Sequence, residues 1–588
     1  MKDYVIVVSA NFKKAYPIIR SLSIRGLNVI GAFYYWRSNA FSKFLYKRFK
    51  ISNPYMCPQK YLLELISLTK LFKPRVIIPV GFIDTLVISK YREHFPENVM
   101  IPIPAYEAIV KVSNKLELPK LCVKLKIKCP KTVKASSKDI VFIPGVVKGV
   151  SDASSPKYFF FKENIWSTLK GVKENLILQE FIPGFGVGYF VFAINGKPLL
   201  EFCHRRILET KPGGGASIVA CKYFDPRAYV YGRRIVRFLK WTGVLMVEFR
   251  KHIETGELYL MEINPKFWGS LELPVSLGYD FPTALIEYLV YGKKPELKVQ
   301  LKRECFSWVL SGLHYLKENP KVWFRILKYG INGFPKHLDV HLDDPAEFLY
   351  SLITRFISTI FSERKISSLY LKNIKTFLRT LMKNKVETLI LDLDGTLVKL
   401  NINWNDVRKK LIGKGLLKPW QSISEALYSS FHTDKKLFRT ISNIVEVYEE
   451  ESVKYVKPNA SITGLLKALA EENVKLGLVT KQTVSVGVKV LEKLRVLKYF
   501  NVIIGRDVEF DRVKQLIQAM KRLDVNVENT FFIGDTLLDA YSAAKVEITP
   551  IIVTNNPYRF MQMLEYGVPV FTKIEEPLKI VLRRRSLK

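Results

Sequence analysis

The sequence predicts a multidomain chain of α/β and α+β units, with an α/β unit at each end. Three observations carry this. At 588 residues the chain is longer than one core supports. Short apolar runs alternate with helical stretches near the start and again from residue 386. Between these regions, residues 111–292 read as antiparallel hairpins with intervening helices. A hydrophobic content of 48%, with 13% aromatic, supplies filled cores and excludes a disordered chain.

Taken in order, residues 4–8 and 28–33 are apolar strands flanking a helical stretch from Ala15 to Arg25, a βαβ opening. Val76 to Val80, followed by Gly81, adds a buried strand. The first turn, Ser9-Ala10-Asn11-Phe12, lacks GxGxxG, which excludes a dinucleotide fingerprint there. This α/β unit ends near 110. Within 111–292, Tyr189–Ile194 and Pro198–Cys203 flank Asn195-Gly196, a type I′ hairpin signal. Val244–Arg250 and Leu258–Ile263 form a second hairpin around Glu254-Thr255-Gly256-Glu257. In 293–385, a helical extension and linker, Phe348, Leu349, Leu352, Ile353, Phe356, Ile357, Ile360 and Phe361 recur at helical spacing. The expectation is a helix packed between domains, with weak docking on a membrane surface as the alternative. The Lys-rich stretch 364–385 reads as a connector. A new α/β pattern fills 386–588.

The formal charge of +38 favours anionic substrates, acidic membrane surfaces or nucleic acid, and no nucleic-acid module is present to select the last. The end of the chain, Leu582 to Lys588, is a small basic tail. Six cysteines show neither a CxxC pair nor metal-ligand spacing, which points to a reducing compartment and against zinc. The N-terminus has no signal-peptide organisation and no apolar run reaches membrane-spanning length. A cytoplasmic protein is expected, and the oligomeric state is open.

Five segments of the first half belong together. Ser113-Asn114-Lys115 precedes a helix, and Lys148 closes a short strand. Leu178-Gln179-Glu180-Phe181-Ile182-Pro183-Gly184 leads from a strand into a turn. His204-Arg205-Arg206 is followed by Gly213-Gly214-Gly215. Glu248 and Glu262 lie on the two arms of one hairpin, with Asn264 two residues beyond. Carboxylates on adjacent strands can share cations, and such hard oxygen ligands suit Mg²⁺ on nucleotide phosphates. Lysines and a glycine loop would neutralise and cover a polyphosphate.

With Met246-Val247-Glu248-Phe249 and Met261-Glu262-Ile263-Asn264-Pro265, these segments resemble the ATP-grasp superfamily with its preceding α/β domain, in the carbamoyl-phosphate-synthase-like branch. The resemblance covers residue 1 to about 292. It implies that Lys115 and Lys148 contact ATP phosphates, and that the hinge run Gln179, Glu180, Phe181 and Ile182 holds the adenine. It implies further that Glu248, Glu262 and Asn264 hold Mg²⁺, with Mn²⁺ as an alternative. Arg205 or Arg206 would meet the acidic substrate or its phosphorylated form. A substrate carboxylate would become an acyl phosphate, which an amine or similar nucleophile then attacks.

In the last third, Leu389-Ile390-Leu391-Asp392-Leu393-Asp394-Gly395-Thr396 ends a strand with two carboxylates one residue apart. Such a pair calls for a divalent cation. Lys475–Thr480 is a second strand ending in a hydroxyl, and Thr530–Asp535 a third ending in carboxylates, with Asp539 beyond. All three fall where parallel sheets place their sites, at the carboxyl ends of strands. Residues 386 to about 585 resemble haloacid-dehalogenase-like hydrolases. The resemblance implies Asp392 as nucleophile, Asp394 as acid and base, and Thr480 as holder of phosphoryl oxygens. Asp535, Asp392 and the Asp394 carbonyl would bind Mg²⁺, supported by Asp539. The family's Lys-Pro pair is missing from Gly505–Lys514, and Lys514 is chosen for its cation, with Arg512 as runner-up. The stretch of about 400–456 should be a small helical cap.

The expectation is thus a bifunctional enzyme, an ATP-dependent ligase fused to a phosphatase acting on a phosphorylated small molecule. The alternatives are a single live site with the other domain as scaffold, or a nucleotide-binding regulatory protein.

Overall fold

The computed structural model describes residues 3–135, 142–151, 156–161, 176–211, 213–296, 304–331, 337–361, 365–383 and 386–586. The loop residues 152–155 after Lys148, Pro212 of the glycine loop, and the last two residues of the basic tail lie outside them.

Four sheets organise the described residues. β1 (Tyr4–Val8), β2 (Asn28–Phe33), β3 (Lys47–Lys50) and β4 (Val76–Pro79) form a parallel sheet in the order β3-β2-β1-β4. β2 and β4 are buried throughout, as strands covered on both faces must be. β5 (Thr132–Lys134), β6 (Gly145–Gly149), β7 (Lys157–Phe159) and β8 (Leu176–Glu180) form a small antiparallel sheet in the order β5-β8-β6-β7.

A larger antiparallel sheet follows from β9 (Gly184–Ile194), β10 (Lys197–Glu209), β11 (Ser217–Lys222), β12 (Gly243–His252), β13 (Leu258–Asn264) and β14 (Cys305–Ser307), ordered β13-β12-β9-β10-β11-β14. Asn195 and Gly196 both take positive φ, 47° and 77°, as a type I′ hairpin requires. One apolar core runs from the parallel sheet into this one, joining Val5 and Ile78 to Phe190, Phe202 and Trp268.

β14 comes from beyond the expected boundary at 292 and pairs Cys305 opposite Cys221. The two are disulfide-bonded across 84 residues of sequence, while the four other cysteines are free. Strand register creates this pair, so cysteine spacing could not reveal it, and an oxidised pair was no part of the reducing compartment expected.

The last sheet holds β15 (Thr388–Leu391), β16 (Lys475–Val479), β17 (Phe500–Ile504), β18 (Thr530–Gly534), β19 (Thr549–Val553) and β20 (Val570–Phe571), all parallel in the order β17-β16-β15-β18-β19-β20. Helices Trp404–Gly413, Ile423–Thr433 and Lys435–Val453 occupy the stretch where a cap is expected and share a core of Val407, Leu411, Leu427 and Ile441. A buried ion pair ties cap to sheet: Arg506 Nη1 lies 2.6 Å from Glu449 Oε1.

The stripe on helix Pro345–Phe361 departs from expectation. It does not pack between domains: its large apolar side chains face outward, and Glu347 is its buried residue. Helical periodicity reports that one face is apolar, but says nothing of whether anything covers it.

Candidate functional site

The first site is a cavity of about 450 Å³ between the small antiparallel sheet and the large one. Register places Glu248 directly opposite Glu262 on β12 and β13. Lys115 Nζ lies 3.3 Å from Glu262 and donates to the Ser151 carbonyl at 2.9 Å. Asn264 Nδ2 donates to Glu262 at 2.8 Å, which leaves its amide oxygen for another partner. Arg206 Nη2 lies 2.6 Å from Glu248. Lys148, Gln179, Glu180, Phe181 and Ile182 line the same space, with the glycines 213–215.

These charges set one another. Against the upward push of burial, Lys115 and Lys148 hold the Glu262 carboxyl down to about 2. Burial pushes Glu248 up to about 7, with Arg206 opposing it. Burial brings the Lys148 ammonium down to about 8, although Glu262 favours its charge. Carboxylate, carboxylate and amide oxygen form a hard donor set, which fits a divalent cation.

Arg205 and Arg206, adjacent on β10, point to opposite sides of the sheet. Arg206 enters the cavity. Arg205 stacks over Phe185 at 3.7 Å and lines a second cleft of about 630 Å³, closed by Trp420 of the cap. Arg250, which lines the same cavity, braces the hinge by donating to the carbonyls of Ile182 and Gly184 at 2.6 and 2.9 Å. Gln179 is buried and donates to Thr132 at 3.0 Å. Glu180 lies 3.3 Å from Lys545 of the last α/β unit.

The second site lies on the adjacent strands β16, β15 and β18. Asp392, Thr480 and Asp535 each follow the end of one of them. Gly395 takes φ 87°, and a Cβ there would stand 2.6 Å from the Asp535 carboxylate, so the turn needs glycine. Oxygens of Asp392, Asp535 and Asp539 all lie within 4.8 Å of one another, a hard donor set that also fits a divalent cation. The Asp394 side chain turns aside and accepts from the Leu400 amide at 2.7 Å. The Thr480 hydroxyl is fully buried and bonded to Gln482.

Burial pushes Asp392 well above the usual carboxylate range, with Arg512 pulling it back. Asp535 rises to about 7 through burial and its neighbour Asp539, against Arg559. Burial also raises Asp394.

The cation beside Asp392 is Arg512, not Lys514. Arg512 Nη2 lies 2.9 Å from Asp392 Oδ1, and its Nε 3.3 Å from Asp539. Lys514 is exposed on helix Arg512–Leu523. Two residues along a helix turn the side chain by about 200°, so only one of the two can face the cluster.

Sequence reasoning missed three contributors. Arg559 lies 3.0 Å from Asp535 and carries no sequence signal. Lys481 follows Thr480 directly. Glu254 lies at the tip of the β12–β13 hairpin, which enters between cap and sheet. There Glu254 is 4% exposed, ion-paired to Lys481, and accepts from the Arg512 amide at 3.2 Å. On its cap side, Gly256 abuts Glu425, which pairs with Lys251 at 3.0 Å. The contact extends to the first cavity: Tyr566 stacks on Phe160 at 5.2 Å, meets Phe181 edge-on and presses against Gly213.

Comparison with known proteins adds the following. A family model described as haloacid dehalogenase-like hydrolase matches residues 389–553. No curated protein matches the chain. Among solved structures, the biotin carboxylase domain of 2-oxoglutarate carboxylase from Hydrogenobacter thermophilus is 13% identical, covering 54% of this chain and 76% of that one, with a TM-score of 0.43. N5-carboxyaminoimidazole synthetase from Staphylococcus aureus is 14% identical over 54% and 86%, with a TM-score of 0.43. L-amino acid ligase from Bacillus licheniformis is 14% identical over 50% and 75%, with a TM-score of 0.40. The narrower carbamoyl-phosphate-synthase-like branch expected from the sequence is not singled out.

Proposed function

We propose that the chain is a two-site enzyme. One site is an ATP-dependent ligase that joins a carboxylate to an amine or similar nucleophile through an acyl phosphate. The other is a phosphatase that acts on a phosphorylated small molecule through an aspartyl-phosphate at Asp392. The observation that carries this reading is the pair of carboxylate clusters, each backed by cations: Glu248 and Glu262 in the first cavity with Lys115, Lys148 and Arg206, and Asp392, Asp535 and Asp539 with Arg512. In this reading residues 1–110 and 111–292 build the ligase, 293–385 extend and link it, and 386–588 are the phosphatase. In this reading the protein works where ATP is supplied, in the cytoplasm.

At the ligase site, Lys115 and Lys148 would bind the nucleotide phosphates, the hinge Glu180–Ile182 the base, and Arg206 the substrate carboxylate as it is phosphorylated. At the phosphatase site, Asp392 would attack the phosphorus. Arg512 would neutralise the incoming charge and Thr480 would hold a phosphoryl oxygen. Asp394, raised by burial, would give a proton to the leaving oxygen and then take one from water. Glu248, Glu262 and Asn264 would hold one Mg²⁺ (or Mn²⁺), and Asp392, Asp535 and the Asp394 carbonyl another, with Asp539 in support. The metal supplies charge neutralisation for phosphoryl transfer.

The test incubates the protein with ATP, Mg²⁺ and a small-metabolite extract, and separately with 4-nitrophenyl phosphate. Asp392→Asn is expected to abolish ester hydrolysis and leave ATP turnover intact, and Glu262→Gln to do the reverse. Loss of both activities from either change would sink the two-site reading.

A pH dependence follows from Lys148. Its charge is present below about 8 and lost above. Since kcat/KM reports the free enzyme, kcat/KM for ATP should fall about tenfold per pH unit above that value. Lys148→Arg should move the fall upward, because a guanidinium keeps its proton.

Glu254 gives the remaining prediction. Glu254→Ala leaves Lys481 buried without its carboxylate and frees the Arg512 amide. Hydrolysis of 4-nitrophenyl phosphate should drop by about tenfold or more, with ATP turnover unchanged. In a double-mutant cycle with Lys481→Ala the losses should not add; additive losses would mean that Glu254 acts elsewhere.

A further inference from the structure

Helix Pro345–Phe361 presents Leu349, Ile353, Phe356, Ile357, Ile360 and Phe361 to the outside, each between 48% and 82% exposed. Their three- and four-residue spacing gathers them on one side. Scattered exposed apolar residues need no explanation, whereas a contiguous stripe of six marks an interaction face. The other side fastens the helix down. Glu347 is buried there, and Tyr350 stacks on Phe41, 4.7 Å away in the turn Ser38–Phe41.

Positive charges predominate around this stripe, against the exposed Asp343, which is paired with Arg20, and the half-buried Glu318. Glu347, the helix's only carboxylate, is turned inward. Arg355 is exposed beside Phe356, and Arg37 is exposed at the start of the turn that holds the helix. The Lys317 ammonium donates to the Ile360 carbonyl at 2.8 Å, next to Phe361. Helix His314–Glu318, which carries Lys317, touches both this helix and Pro320–Ile331, where Lys321, Arg325 and Lys328 are exposed. Residues 293–385 contain 18 Lys and Arg against eight Asp and Glu.

This charge selects the occupant. Two copies of a chain carrying +38 repel one another, so a second copy is a poor cover for the stripe. Nucleic acid would answer the charge but leave the apolar side chains in water. An anionic lipid surface answers both, with headgroups meeting the cations and the acyl boundary receiving the stripe. No helix among the described residues is long and apolar enough to cross a membrane, so the helix would lie flat.

We propose that the protein docks on anionic membrane surfaces through helix Pro345–Phe361, with Phe356, Ile360 and Phe361 entering the acyl boundary and Arg37, Lys317 and Arg355 at headgroup level. The proposal is independent of the chemistry assigned to either site.

The test is co-sedimentation of the full chain with vesicles of phosphatidylcholine alone or of phosphatidylcholine and phosphatidylglycerol at 70:30. Phe356→Ser/Ile360→Ser keeps the charge, changes only exposed side chains, and should leave the melting temperature unaltered. Partition of the wild type onto anionic vesicles is expected to exceed that onto neutral ones by at least about tenfold, and the double variant to lose about tenfold or more. Absence of binding, or equal binding to both vesicles, would overturn the proposal. So would binding that the double variant leaves untouched, which would mean charge alone. A dimer abolished by the same substitutions would assign the stripe to a second copy instead.

Discussion

Register between β12 and β13 sets Glu248 opposite Glu262, and the same two strands run on to a tip that seats Glu254 between Lys481 and the start of helix Arg512–Leu523. Both chemistries therefore depend on one antiparallel pair. Because side chains alternate along a strand, slipping this pair by one residue would turn the carboxylates away from the cavity. The irregularity after Glu248 is part of the same construction, since it lets the strand bend as it leaves the sheet. Close contact holds the tip in place: a Cβ on Gly184 would meet the Lys251 carbonyl at 1.9 Å, and one on Gly256 would meet Glu425.

The charge logic of the two sites is the same. Each gathers carboxylates where burial alone would drive them to take up protons, and each supplies cations that work against burial. At the first site Lys115 and Lys148 prevail over burial at Glu262, while Glu248 rises in spite of Arg206. At the second, Arg512 offsets Asp392 only in part, and Asp535 and Asp539 add repulsion. The carboxylates of the second site, left this close, remain short of positive charge, and a divalent cation is the natural supplement there.

Much of this was legible in the sequence because it rests on local rules. Asp392, Thr480 and Asp535 each close an apolar run, and Asn195-Gly196 announces its hairpin. What was not legible depends on phase or on distant partners. The segment around Arg512 departs from the familiar lysine motif, so nothing local fixed which of Arg512 and Lys514 faces Asp392. Arg205 and Arg206 were equivalent in sequence until strand alternation sent them to different cavities. The Cys221–Cys305 pair and the Glu254–Lys481 pair join residues 84 and 227 positions apart, beyond the reach of any spacing rule. The apolar stripe at 349–361 was legible as a stripe, while its exposure was not.

The geometry also limits how the two sites can influence each other. Glu248 and Glu254 are six residues apart along β12 and the turn that follows it, at most roughly 20 Å at about 3.3 Å per residue. Charges held this far inside the protein are screened less than exposed ones, so distance alone does not isolate the clusters. The body of the hairpin is one path between them, beside the contact of Tyr566 with Phe160 and Phe181, and its tip is gripped from the cap by Glu425 and from the sheet by Lys481. Cap and sheet are themselves locked by Arg506 and Glu449, which leaves the tip little freedom to move alone. A displacement of the arms at Glu248 and Glu262 would thus have to carry Glu254 with it, and with Glu254 the cation that stands on Asp392.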